Sequence, residues 1–151
     1  YNPADPKAGT STNKASNVVV FRSYGSMTYA GMLALMHANI SRDDVRVRSA
    51  FEWAASRWSL DENPGMDTQG LYFFYNVLSK CLKAYNQDLL PVKDKTPVNW
   101  KVEVATKLIK VQKTDTKTGQ GYWKNDNNRF WEDNAVLVTA YTLRALEIVT
   151  K

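Results

Sequence analysis

The sequence predicts an all-α fold built of helical hairpins, and three observations support that prediction. Apolar residues recur at helical spacing in five stretches, polar loops containing Pro and Gly separate the stretches, and no convincing sheet pattern is present. The predicted helices span 26–39, 44–57, 67–85, 98–112 and 134–150. With 151 residues, 44% of them hydrophobic, the chain is long enough to form one domain with a sizeable core.

Residues 1–25 are expected to form a loop-rich segment ahead of the helices. Pro3, Pro6 and Gly9 interrupt any periodicity, and a Thr-Ser-Thr-Asn run follows them. Only the run from Val18 to Phe21 favours a short extended piece. The expected organisation is therefore a loop-rich segment over 1–25 and a unit of helical repeats over 26–151.

Local signals mark the expected ends of the helices. The stretch from Ser41 to Asp44 resembles a capping box, in which a Ser oxygen accepts from a free amide and carboxylates lie near the positive helix start. Pro97 suits the first turn of the fourth helix, and Asp133 is expected to cap the fifth. The apolar side of the second helix consists of Val47, Ala50, Phe51, Ala54 and Trp58.

An internal repeat relates the first and the fifth predicted helices. The pattern of Thr28, Met32, Ala34 and Leu35 returns at the same spacing as Thr139, Leu143, Ala145 and Leu146. Helices 26–39, 67–85 and 134–150 are apolar around most of their circumference, whereas helices 44–57 and 98–112 have a charged face. This alternation indicates an inner layer shielded by an outer layer, and it is also typical of two-helix solenoids.

Several segments resemble a known family. Gln112 followed by Gly121-Tyr122-Trp123 is similar to the Gln…Gly-X-Trp tag of squalene–hopene cyclases, in which the Trp ring packs on the next hairpin and the Gln bonds free carbonyls at the preceding helix end. The segments 23–29, 61–66 and 133–146 resemble bacterial proteins with prenyltransferase and squalene-oxidase repeats. The resemblance covers about residues 22–149.

The resemblance implies an α/α toroid, the fold that these cyclases share with protein prenyltransferases. Such a toroid usually closes with about twelve helices, so five helices would form a partial toroid, the C-terminal part of one. The exposed inner face would be apolar, and we expect the rest of the toroid or another copy of the protein to cover it. The resemblance further implies a hydrophobic polyprenyl substrate.

The catalytic signatures of those relatives are absent. The acidic pairs Asp43-Asp44, Asp61-Glu62 and Glu132-Asp133 lack the spacing of an Asp-X-Asp-Asp proton donor, so the catalytic residues are unknown and enzymatic activity stays open. Protein prenyltransferases bind zinc through Asp, Cys and His, and the segment that resembles their His-bearing one has Asn76 instead. His37 is expected to be an ordinary helix-end residue and Cys81 a buried apolar group. We therefore expect no metal and no cofactor.

Two sets of side chains are candidates for a binding site. Aromatic residues make up 12% of the chain, and aromatic rings can stabilise a carbocation. The candidates for a cavity wall are Tyr24, Tyr29, Tyr72, Tyr75 and Trp131, and packing in the core is the alternative for each. Carboxylates in the loops before the inner helices could converge on one rim and cut a glycan. These are Asp61, Glu62, Asp67, Glu132 and Asp133, and the candidates for the rim are Asp61, Asp67 and Asp133.

Three functional hypotheses follow from these observations. The first is part of a cyclase or isomerase for a polyprenyl substrate, the second a non-catalytic module that binds a lipid, a glycan or a protein, and the third a carbohydrate-active toroid. The net charge of +5 comes from scattered lysines, densest over 93–117, and no interleaved motif indicates nucleic-acid binding. No transmembrane segment is expected. The single Cys81 leaves the compartment open.

Overall fold

The computed structural model describes residues 5–93 and 96–151. Pro3 of the loop-rich segment, and Asp94 and Lys95 of the basic stretch, lie outside the described residues. Each of the five predicted helical stretches contains an α-helix, which confirms their number and order in the described part of the chain. The helices are α1 Gly25–His37, α2 Val45–Ser56, α3 Leu71–Tyr85, α4 Trp100–Lys110 and α5 Ala135–Val149.

The predicted all-α class is wrong, because the described residues also form three two-stranded antiparallel sheets. The fold is mixed α and β, and the α/α toroid expected from the resemblance is not observed. Two of the sheets have strands of only two residues, which are too short to leave an alternating pattern in the sequence. The strands are β1 Thr10–Asn13, β2 Val18–Phe21, β3 Leu89–Leu90, β4 Val98–Asn99, β5 Lys113–Thr114 and β6 Gly121–Tyr122.

The first sheet is an exposed ribbon in the segment that was expected to be loop-rich. Its register pairs Thr10 with Phe21 and Asn13 with Val18, and all eight residues of the two strands are exposed. The extended piece predicted from Val18 to Phe21 is therefore real, and it has a polar partner strand. The helical unit begins directly after this ribbon, at Gly25.

Backbone conformation shortens two helices relative to the prediction. Helix α3 begins at Leu71, because Asp67 and Gly70 adopt left-handed backbone with φ of 50° and 66° and so end any earlier helical turn. Helix α5 is capped by Asn134 rather than Asp133. The Asn134 Oδ1 accepts hydrogen bonds from the amides of Val136 and Leu137, which satisfies two of the free donors of the first turn.

The helices pack in two layers, with α3 at the centre. Helix α3 lies between α1 and α5, α2 packs on α1, and α4 packs mainly on α5. Eleven of the fifteen residues of α3 are buried, which agrees with its nearly continuous apolar sequence. Helix α4 buries one stripe formed by Trp100, Val104 and Leu108. None of the helices in residues 5–93 and 96–151 is long and apolar enough to span a membrane.

Aromatic contacts join α3 to the helices on one side of it. Phe51 of α2 stacks on Tyr85 with ring centroids 4.3 Å apart, and Tyr29 of α1 contacts Phe74 at 5.8 Å. Such pairs add stabilisation beyond the area they bury. They fix the position of α1 and α2 against α3, and with it the geometry at the amino ends of α1 and α3.

Candidate functional site

The loop before α3 caps the amino end of α1. Asn63 is buried, its Oδ1 accepts a hydrogen bond from the Ser26 amide at 2.9 Å, and its Nδ2 donates to the Ser26 hydroxyl and to the Gln69 carbonyl. The Gly25 amide donates to the Pro64 carbonyl at 2.8 Å. A Cβ on Gly25 would lie within 2.8 Å of Asn63, Pro64 and Phe74, so only glycine allows this close packing.

The loop before α5 caps the amino end of α3 in the same way. Glu132 is fully buried, and its carboxylate accepts hydrogen bonds from the amides of Phe73 at 2.7 Å and Tyr72 at 3.3 Å. The Asn125 Nδ2 donates to the same carboxylate at 2.7 Å and also to the Thr68 carbonyl. The positive end of the helix dipole further stabilises the carboxylate in this position. Each capping contact thus joins the amino end of one inner helix to the loop that precedes the next inner helix.

A small cavity lies between the amino ends of α1 and α3 and the middle of α5, and we call it the aromatic cavity. Its volume is about 210 Å³. Phe73 and Tyr141 meet edge to face in its wall, with centroids 5.8 Å apart. The full lining consists of Tyr24, Ser26, Met27, Gly70, Phe73, Phe130 and Tyr141. Four aromatic rings therefore border a space large enough for a short alkyl chain.

The loop that carries Phe130 has an unusual backbone. Phe130 and Trp131 are consecutive aromatic residues in left-handed backbone, with φ of 62° and 65°. Bulky side chains rarely adopt this conformation, which costs about 1–3 kcal/mol for each residue. Both residues are nevertheless exposed, Phe130 by 42% and Trp131 by 76%. Backbone strain that presents exposed aromatic rings is a feature of binding sites more than of packing.

Gly70 provides the space for Phe130. Its φ of 66° is unfavourable for other residues, and a Cβ there would lie 3.3 Å from the Phe130 ring. Arg129 lies over the Phe130 ring at 5.1 Å from the centroid, and its guanidinium donates a hydrogen bond to the Gln69 side chain. A cation therefore already lies over a face of the Phe130 ring, which lines the cavity.

A larger open groove adjoins the aromatic cavity, and we call it the α1–α2 groove. Its volume is about 750 Å³, and Tyr24 and Met27 line both spaces. The rest of its lining consists of Arg22, Ser23, Thr28, Gly31, Met32, Ala34, Leu35, Ser49, Ala50 and Trp53. A third cavity, of about 440 Å³, lies between Trp58 and α4 and is lined partly by charged residues.

The predicted cavity-wall residues are divided between the core and the surface. Tyr29, Tyr72 and Tyr75 are buried in the core, where Tyr72 and Tyr75 meet edge to face at 5.6 Å. The Tyr75 hydroxyl donates to the Leu60 carbonyl at 2.6 Å. Burial raises the pKa of Tyr29 and Tyr75, and burial together with the charge of Glu132 raises the pKa of Tyr72. Of the five candidates, Tyr24 is the one that lines a cavity described above. Trp131 is exposed and directly follows Phe130, which lines the aromatic cavity.

The three predicted rim carboxylates are exposed. Asp61 forms an ion pair with Lys107 at 2.6 Å, and the lysine holds the pKa of Asp61 below its usual value. Asp67 contributes its backbone carbonyl to the Asn63 amide at 2.7 Å. None of the three lines the aromatic cavity. Glu132 is the acidic residue whose hydrogen bonds hold the site together. The residues around it in the sequence do not indicate that Glu132 is buried and Asp133 exposed.

The predicted tag residues Gln112, Gly121 and Trp123 lie between α4 and α5, and Trp123 connects the two helices. The Trp123 ring is buried, its Nε1 donates to the Leu108 carbonyl near the end of α4 at 2.8 Å, and its amide donates to the Thr139 hydroxyl on α5. Gln112 lies against Gly121, where a Cβ would clash with its side-chain amide. The carbonyl contact that the resemblance assigned to the Gln is therefore made by the Trp.

The described residues contain no group of His, Cys, Asp and Glu that could hold a metal ion. His37 is exposed at the end of α1, and Cys81 is fully buried on α3. Burial raises the pKa of the Cys81 thiol to about 12, so the thiol is a poor nucleophile in the folded protein.

The chain matches no protein-family model, no curated protein and no solved structure. The resemblance to prenyltransferase and squalene-oxidase repeats therefore stays a prediction. Function has to be argued from the aromatic cavity and the loops that form it.

Proposed function

We propose that this chain is a binding module for a hydrophobic ligand, which it holds in the aromatic cavity. The observation that carries the proposal is the left-handed backbone at Phe130 and Trp131, which keeps Phe130 in the cavity wall. Strain of this kind persists only where the surrounding structure over-determines it. Here the buried Glu132 and Asn125 hold the loop, so the strained conformation is built into the fold.

The character of the lining supports an apolar ligand. Phe73, Phe130, Tyr141 and Met27 supply rings and a thioether, and the Ser26 hydroxyl already accepts a hydrogen bond from Asn63. Binding sites for small molecules are mostly apolar with few polar groups, and this cavity has that composition. An alkyl or isoprenyl group would bury apolar surface on both partners, which stabilises the complex.

The charge of Arg129 disfavours a cationic ligand. Arg129 already lies over the Phe130 ring, and a second cation at that ring would meet like charge. Aromatic rings can also attract a quaternary ammonium ion. In this cavity the rings therefore bind a neutral group instead.

The cavity supports binding more than catalysis. A cyclase needs a proton donor that faces its substrate, and the buried carboxyl closest to the cavity in sequence, Glu132, is turned to the amides of α3. Among the described residues that line the cavity there is no carboxyl group. A polyprenyl group remains a candidate ligand, and the protein acts as its binding module.

Calorimetric titration with octanol tests the proposal. Wild-type protein is expected to bind octanol with one site, and Phe130→Ala is expected to weaken binding at least tenfold because it removes one wall of the cavity. Ile109→Ala is the matched control, since Ile109 is also an exposed apolar residue but lies on α4. Equal affinity of Phe130→Ala and wild type, or no octanol binding at all, would overturn the proposal.

A further inference from the structure

The α1–α2 groove begins where the aromatic cavity ends. Tyr24 and Met27 line both spaces, and Met27 is 44% exposed. From Met27 the groove follows α1 as far as Leu35, which is about 12 Å along a helix axis at 1.5 Å per residue. A ligand that fills the cavity and extends past Met27 would enter this groove.

The floor of the groove is formed mainly by apolar residues. Gly31, Ala34 and Leu35 line it from α1, and Ala50 and Trp53 line it from α2. A Cβ on Gly31 would meet no atom within 4 Å, so the space above this residue is open. The Thr28 hydroxyl in the groove donates to the Tyr24 carbonyl at 2.9 Å, which leaves it engaged within the helix.

We propose that the α1–α2 groove holds the far end of the ligand, and that the ligand is a linear hydrocarbon chain longer than the aromatic cavity. This inference rests on the proposed function, because it needs the near end of the chain to occupy the cavity. Met27 marks the passage between the two spaces, and Gly31 leaves the groove open. The two residues together determine the length of chain that the protein accepts.

A comparison of octanol with dodecanol tests this inference by calorimetric titration. Each methylene that leaves water adds about fourfold in affinity, so wild-type protein is expected to bind dodecanol more than tenfold tighter than octanol. Gly31→Phe fills the groove from a helical position where the new side chain meets no neighbour at its Cβ. This variant is expected to lose the preference for dodecanol and to keep the affinity for octanol.

Ala140→Phe is the matched control, because it places the same side chain on an exposed position of another inner helix, α5. It is expected to bind both alcohols as the wild type does. Circular dichroism of all three proteins shows whether each substitution leaves the helices intact.

The outcomes separate this inference from the function on which it rests. Octanol binding without a preference for dodecanol overturns the proposed role of the groove, and so does a preference that survives in Gly31→Phe. Neither result contradicts ligand binding in the aromatic cavity. Absence of octanol binding overturns both. Sedimentation that finds a wild-type dimer and a monomeric Gly31→Phe variant would show the groove to be an interface between copies, which also overturns the inference.

Discussion

The Glu132 carboxylate accepts a hydrogen bond from the Phe73 amide at 2.7 Å and is fully buried. Through this contact the loop that carries Phe130 and Trp131 is attached to the amino end of α3, and Phe73 on that end lines the aromatic cavity. The Glu132 side chain therefore connects Phe73 in the cavity wall to the loop that carries Phe130. The same residue determines both the stability of the fold and the shape of the site.

Glu132→Gln is expected to destabilise the protein by about 2 kcal/mol, because hydrogen bonds from amides to a charged acceptor are lost or replaced by a neutral one. Urea denaturation measures the change in the free energy of unfolding. Glu62→Gln is the control, since Glu62 is exposed in the preceding capping loop. Equal losses in the two variants would show that Glu132 does not act as a cap.

Gly70→Ala is expected to destabilise the protein more than Gly119→Ala does. Both glycines have φ near 70°, but a Cβ at Gly70 meets the Phe130 ring at 3.3 Å and a Cβ at Gly119 meets nothing within 4 Å. Gly119→Ala thus measures the backbone cost alone, about 1 kcal/mol. Thermal denaturation of both variants isolates the contribution of the contact with Phe130, and identical shifts in Tm would argue that this contact is unimportant.

Ser79→Ala is expected to stabilise the protein by about 1 kcal/mol. Ser79 is fully buried on α3, and its hydroxyl has no hydrogen-bond partner among the described residues, so folding removes it from water without compensation. Thr142→Val is the contrasting variant, because the Thr142 hydroxyl is equally buried but donates to the Val138 carbonyl at 2.9 Å. Urea denaturation should find opposite signs for the two substitutions; a loss of stability in Ser79→Ala would contradict the argument.

Cys81 is expected to react with a thiol reagent only when the protein unfolds. The thiol is fully buried and burial raises its pKa to about 12, so at neutral pH both the thiolate fraction and the access of the reagent are small. Spectroscopic titration with a disulfide reagent, in buffer and in concentrated urea, measures the difference in rate. Complete and rapid labelling of the native protein would refute the burial of Cys81.

The sequence predicted the helices well because their signals are local. Helical spacing, Pro and Gly placed all five helices within a few residues, and the long apolar run at 71–78 anticipated the burial of α3. The three sheets were missed, because strands of two residues carry no period and because the partner of β2 is a polar strand. An all-α class was therefore predicted for a chain whose loops contain sheet.

The site was predictable only in part, because it depends on contacts between distant residues. Of the residues that the sequence suggested for a cavity wall, Tyr24 lines the aromatic cavity. The sequence could not show that Tyr29, Tyr72 and Tyr75 face the core, since a helix that is apolar on all sides gives no direction to any one ring. The left-handed backbone at Phe130 also left no signal, because neither Phe nor Trp favours it.

The two capping contacts also determine the order in which the chain can fold during synthesis. Asn63 lies 37 residues beyond Ser26, and Glu132 lies 60 residues beyond Tyr72. As the chain leaves the ribosome, α1 and α3 each emerge with an open first turn that only a later loop closes. The first turns of α1 and α3 can thus be capped only after the helix that follows each of them, α2 or α4, has been synthesised.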